Sequence, residues 1–177
     1  MRRADTEFSF AGRALCLAAA LACAPAFAGI LTGAPEGGYP ELPTPPVPAF
    51  DANKTIAIAL RPDSNIAMGI DPATITVESD GIVRYVSVAR STTGNAVTAT
   101  YEGIRCTTAE VKLYARHSID GGWRPVAEPK WQSLYDAGPA RYSLPIAKAG
   151  ICRDASAGGS APQIVLNLRS DLLRLAP

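Results

Sequence analysis

Three alternating runs follow one another between residues 82 and 118, and they leave the chain little choice of fold. "IVRYVSVARS" (82–91) puts Ile82, Val86 and Val88 on one side of an extended chain and Tyr85 on the other, as the two-residue period of a strand requires. "TTGN" turns the chain and "AVTATYEGIRC" returns, rich in Val, Thr, Tyr and Ile, so the pair reads as an antiparallel hairpin. After Thr107 and Thr108, "AEVKLYARHS" alternates again, with Val111, Leu113 and Ala115 to one side and Lys112, Tyr114 and Arg116 to the other. "IDGGW" supplies the next turn, in which Gly121 and Gly122 can take positive φ, and Trp123 begins another extended piece.

Shorter runs upstream extend the same sheet. "TIAIAL" is apolar and β-branched and is closed by "RPDSN"; "IAMGIDPATITVES" bends at Asp71 and Pro72; "SDG" at 79–81 is a turn signal. Beyond Pro129 the character changes. Trp131, Leu134 and Tyr135 stand at helical separations, while Gly138, Pro139 and Pro145 limit any helix to short pieces. After the loop "ASAGGSAP", the stretch "PQIVLNLRSDLLRLAP" reads as an amphipathic helix with Pro162 in its first turn. Ile164, Val165, Leu168, Leu172 and Leu175 form its apolar stripe, suited to docking on the sheet, with a mobile partner-binding tail as the other reading. The expected class is α+β: a small antiparallel sheet of about five to six strands with C-terminal helical segments packed on it, stapled by one disulfide.

The amino-terminal residues obey a different logic. Arg2, Arg3 and Arg13 precede the apolar run "ALCLAAALAC", and Ala26 and Ala28 offer the small residues a signal peptidase needs. Export to the periplasm with cleavage after Ala28 is expected. The apolar run falls short of the roughly 20 residues that span a bilayer, so no transmembrane segment is expected. "ALAC" also resembles a lipoprotein box, which would instead anchor the chain through a lipid on Cys23, although Ala20 stands where such boxes favour Leu. Residues 29–50, with Pro35, Pro40, Pro43, Pro45, Pro46 and Pro48, read as a proline-rich linker of extended conformation. The expected layout is therefore signal peptide 1–28, linker 29–50, sheet domain 51–155, and flexible loop with amphipathic helix 156–177.

Cleavage would change both the charge and the cysteine count. Removing Arg2, Arg3 and Arg13 from 17 basic residues, and Asp5 and Glu7 from 16 acidic ones, leaves 14 of each sign. A neutral chain without a Lys/Arg cluster argues against nucleic acid and against a polybasic membrane patch. Cys16 and Cys23 would leave with the signal, and Cys106 and Cys152 would remain. In an oxidising compartment that pair reads as a disulfide, and a redox-active pair, the rival reading, lacks Cys-x-x-Cys spacing.

Four stretches in this order, "DGIVRYVSVARS", "YEGIRC", "EVKLYA" and "WQSL", resemble the exported, largely uncharacterised family named after the cryptic neisserial protein, over roughly residues 66–153. The most specific parts are Asp80-Gly81, Tyr101 through Cys106, and Lys112 through Ala115. The resemblance implies a small proteobacterial envelope domain and brings no assigned activity. It also implies a more continuous helix before the second cysteine than Pro145 and Gly150 permit here.

The residues compose no catalytic constellation. His117 is the only histidine, at the end of a strand, with no cluster of metal ligands and no nucleophile elbow in the sequence. No metal or cofactor is expected. Glu102, Arg105 and Arg84 lie on adjacent hairpin strands, where a Glu and an Arg fit a cross-strand pair. With Tyr114, His117 and Trp123 they make up the candidate binding surface. The expected function is a non-enzymatic binding or structural module for another envelope protein or a cell-wall component. A small periplasmic hydrolase with His117 as base, or a redox enzyme, is the alternative.

Overall fold

A computed structural model describes residues 40–118 and 121–175. The export signal, its cleavage point, Cys23 and the first part of the linker lie outside the described residues. Among the described residues, ten strands and two α-helices run in chain order: β1 (Ile56–Ile58), β2 (Ile66–Ile70), β3 (Thr76–Val77), β4 (Ile82–Ser91), β5 (Val97–Arg105), β6 (Glu110–Ser118), β7 (Gly122–Pro125), β8 (Trp131–Ser133), α1 (Ser143–Ile146), β9 (Cys152–Arg153), β10 (Ser156–Ala157) and α2 (Ala161–Leu175). The main sheet is antiparallel, in the order β1-β2-β4-β5-β6-β7, with β3 also on β4 and β8 also on β6. The β9–β10 pair forms a separate ribbon.

Eight strands in the main sheet exceed the expected five to six, and the reason is local. β2 and β3 share one flank of β4, pairing Ser87–Ser91 and Val83–Arg84 respectively. The 3₁₀ turn Pro72–Thr74 breaks the flank between them, capped by Asp71 Oδ1 accepting from Ala73 N at 2.9 Å. β7 and β8 share the far flank of β6 in the same way. Six positions across the sheet thus hold eight strands. A second difference is Trp131–Ser133, expected to be helical, which pairs with Glu110–Lys112 as β8. The helical spacing of three side chains is outweighed there by an open edge on β6.

β4 is the spine. Ile82 through Val88 are all buried, because both faces of the sheet are covered. One face carries Val83, Tyr85, Ile104 and Val111 against Ile146, Ile151, Ile164 and Leu168 of the helical segments. Burying each such side chain contributes about 1.5–3 kcal/mol. The other face gathers Val86, Val88, Ala99, Tyr101, Tyr114 and Ala115 beneath Val47, Phe50 and Trp123. Residues 41–50, expected to be part of a linker, lie along this face as a strap, held through Glu41, Val47 and Phe50.

α2 docks through Ile164 and Leu168, both almost fully buried, while Leu172 and Leu173 farther along are exposed. Before it, α1 runs into the wide turn Ala147–Ile151, which is broken at Gly150 with φ +145°. A Cβ at Gly150 would stand 2.6 Å from Asn167 Cβ, so the glycine also lets α2 approach. Cys106 at the end of β5 is bonded to Cys152 of β9, with their Cα atoms 5.6 Å apart. The disulfide pins the helical cap to the sheet.

The β5–β6 register contains a bulge that the alternation of the sequence conceals. Tyr101 pairs with Ala115 and Glu102 with Leu113, so Tyr114 is the extra residue. Tyr114 and Ala115 therefore both join the strap-side cluster, and Ala115 does not share a face with Val111 and Leu113 as expected. Arg116 in turn comes round to the helix side, opposite Thr100.

Gly103, also on β5, is where the strap side is tightest. A Cβ there would lie 2.7 Å from Tyr114 Oη and 2.9 Å from Ile82 Cγ2. Gly103→Val is expected to lower stability by about 1–3 kcal/mol, as overpacked cores do. A urea midpoint unchanged from wild type would show that Tyr114 is free to yield.

Candidate functional site

On the helix side of the sheet the packing stops short and leaves a cavity of about 710 Å³. Its floor is β2, β4, β5 and β6; its walls are the chain at 126–132 and the segment 138–146 that leads into α1. That size lies within the range of small-molecule sites. Ile66, Met68, Val111, Leu113, Val126 and Ile146 make the lining largely apolar.

The polar part of the floor is one connected network centred on Glu102. Its Oε2 accepts from Tyr85 Oη and from Ser143 Oγ, both at 3.0 Å, and its Oε1 accepts from Thr100 Oγ1 at 2.8 Å. Ser87 Oγ lies 2.7 Å from Thr100 Oγ1. Thr100 has one hydroxyl proton, already given to Glu102, so Ser87 donates to Thr100. Tyr85 lies beneath the cavity; burial and then the neighbouring Glu102 carboxylate push its phenol well above its ordinary range, which keeps it protonated and donating. Ser87 and Ser143 are buried, so this arrangement is fixed by packing.

Charge of the opposite sign marks the mouth. Arg116, Lys130 and Arg141 line it, with Glu128. Lys130 Nζ is 3.7 Å from the Glu128 carboxylate, and Arg141 donates to Tyr142 Oη at 2.7 Å while lying over that ring.

The remaining residues expected at a binding surface lie on the other face. Arg84 is fully buried and pairs with Asp80. Arg105 stands 3.5 Å from the Glu110 carboxylate and 4.1 Å above the Trp131 ring. His117 sits among Phe50 and Trp123 with ring centroids 5.1–5.4 Å apart. The expected Glu–Arg cross-strand pair does not form: Glu102 is opposite Tyr85, whereas Arg84 is opposite Gly103, so carboxylate and guanidinium project from opposite faces. Of the six candidates, only Glu102 lines the cavity. Ser87, Thr100 and Ser143 were missed, yet Thr98, Thr100 and Glu102 at two-residue spacing form a polar stripe behind the apolar Val97, Ala99 and Tyr101. That stripe is the signal.

Tyr114 belongs to the clamp that holds the strap. Glu41 accepts from Lys112 Nζ at 2.7 Å, Tyr114 Oη at 2.9 Å and Trp131 Nε1 at 3.2 Å. Burial alone would raise the Glu41 pKa, but the hydrogen bonds from Lys112 and Tyr114, the lysine charge and the indole N–H outweigh it and hold the carboxyl below its usual 4.5. The stabilisation from a depressed carboxyl is present above the unfolded pKa and is lost as pH falls through the folded one. Glu41→Gln is therefore expected to cost about 2 kcal/mol at neutral pH, with the gap to wild type closing as pH falls below 4.5. Equilibrium unfolding of both proteins across that range checks it; a constant gap would mean that the charge of Glu41 is not what holds the strap.

Among the described residues, no group of three or more His, Cys, Asp and Glu is placed to hold a metal, and no helix is long and apolar enough to cross a membrane. Fold and site together define a disulfide-stapled antiparallel-sheet domain with a helical cap and a cavity between cap and sheet. The chain belongs to the CNP1-like family, which it matches over residues 36–169. The match takes in the whole strap and ends within α2. It matches no curated protein and no solved structure.

Proposed function

We propose that the protein is a non-enzymatic binding module of the bacterial cell envelope, exported to the periplasm, and that its ligand enters the cavity over Glu102. The observation that carries this reading is the cavity itself: about 710 Å³ with largely apolar walls and one pre-ordered polar network on its floor. The Cys106–Cys152 disulfide is compatible with an oxidising compartment. The hydrolase alternative rested on His117, and the rings around it, Phe50 and Trp123, supply neither a nucleophile nor a carboxylate.

A cavity-blocking variant provides the test. Thr98 is exposed and lines the cavity, so Thr98→Trp narrows it without replacing a buried side chain. Fractionated small molecules from periplasmic extract are added to both proteins and thermal unfolding is followed. A fraction that stabilises wild type, as ligand linkage requires, and leaves Thr98→Trp unmoved supports the reading. Equal shifts in both proteins, or no shift with any fraction, would contradict it.

A further inference from the structure

We propose that the cavity takes a small zwitterion with an apolar middle, such as a short apolar peptide, ammonium end inward, a reading that rests on the cavity being a binding site. The hydroxyl protons of the floor are already spoken for. Tyr85, Thr100 and Ser143 each give their single hydroxyl proton to Glu102, and Ser87 gives its own to Thr100. Every side-chain donor of the network is then committed.

What the network itself leaves facing the cavity accepts, while Thr98 and Gln132 stand apart from it on the lining. A carboxylate has about four acceptor positions and the hydroxyls take three of them, so Glu102 Oε1 retains one. Ser87 and Thr100 keep free lone pairs, and both line the cavity. A ligand group that only accepts hydrogen bonds would meet acceptors alone; a group that donates several, at positive charge, meets complementary partners.

The ligand's other end follows from the mouth. Arg116 and Arg141 offer guanidinium donors and leave the rim net positive, although Glu128 offsets Lys130. Negative floor and positive rim, with apolar walls between, orient a dipolar molecule with its ammonium down and its anion outward.

Calorimetric titration of protein purified after expression of the whole chain tests this with three probes: leucyl-leucine, its N-acetyl derivative and its C-terminal amide. The free dipeptide is expected to bind, N-acetylation to weaken binding about tenfold or more, and amidation to weaken it less. Glu102→Gln, which places an amide donor on the floor, is expected to remove the preference for the free amine while circular dichroism stays unchanged. Should that substitution perturb folding, Ser87→Ala, which removes one acceptor, is expected to weaken the free dipeptide and spare the acetylated one. Equal affinity for free and acetylated probes in wild type, abolished by Thr98→Trp, would overturn the ligand class and leave the cavity as a binding site. Binding equal in wild type and Thr98→Trp would overturn both, and no binding of leucyl-leucine at about millimolar concentration would overturn the ligand class.

Discussion

Replacing Asp80 by Ala is expected to destabilise the protein by about 3–5 kcal/mol, the usual consequence of leaving one member of a buried ion pair behind. The Arg84 side chain is fully buried, the Asp80 side chain is 1% exposed, and Arg84 Nη2 meets Asp80 Oδ2 at 2.7 Å with Nη1 3.3 Å from Oδ1. The same carboxylate accepts from Ile82 N at 3.0 Å and Leu42 N at 3.1 Å, so it closes the turn before β4 and ties down the strap. Without it, Glu78 at 3.8 Å is the one carboxylate left to Arg84 among the described residues, beside the Tyr114 ring. Burial works against the charge of Asp80, but hydrogen bonds from Arg84, Ile82 and Leu42 prevail and hold its pKa below the ordinary 3.8. The contribution is thus full at neutral pH and declines as pH falls through the lowered value. Adding Arg84→Met to Asp80→Ala is expected to recover much of the loss, since the orphaned charge goes with it. Urea unfolding of the single and double variants measures this, and a single variant within about 0.5 kcal/mol of wild type would contradict the buried-pair account.

Exchanging Cys106 and Cys152 for Ala is expected to cost about 4 kcal/mol, the chain-entropy value for a loop of 47 residues counted inclusively. That is a large fraction of a small domain's net stability. The effect reaches the cavity as well, because the bond fixes the start of β9 to the end of β5, and the intervening chain includes α1 and Ser143. Reduction is expected to loosen the wall that carries Ser143 and to weaken ligand binding in parallel with stability. Unfolding curves with and without a thiol reductant, together with thiol titration of the native protein, check both parts. Free thiols in the native protein would exclude the staple, and an unaltered midpoint on reduction would deprive it of its stabilising role.

The central hairpin was legible because its signals agree: β4 occupies Ile82–Ser91, and β5 returns after the turn at 92–96. Period two also separated Val86 and Val88 from Tyr85 correctly. It did not reveal that both faces would be covered, since the strap that buries Tyr101 and Tyr114 is proline-rich and reads as a spacer. Nor did it reveal the bulge at Tyr114, because an inserted residue leaves the local alternation intact and shifts only the pairing with β5. That single step decides which face carries Arg116. The site was half legible for the same reason: Glu102 stands out in an apolar strand, but its partners Tyr85 and Ser143 come from β4 and α1. Only the register and the docked cap bring them together.

The account turns on which face of the sheet receives a ligand, and a proton–nitrogen correlation spectrum followed during titration with leucyl-leucine measures that directly. The cavity reading predicts shifts at the amides of Ser87, Thr100, Glu102 and Ser143, and none around His117 and Trp123. Shifts absent from both faces would remove leucyl-leucine as a ligand, and shifts confined to the face of Phe50, His117 and Trp123 would contradict the cavity reading itself.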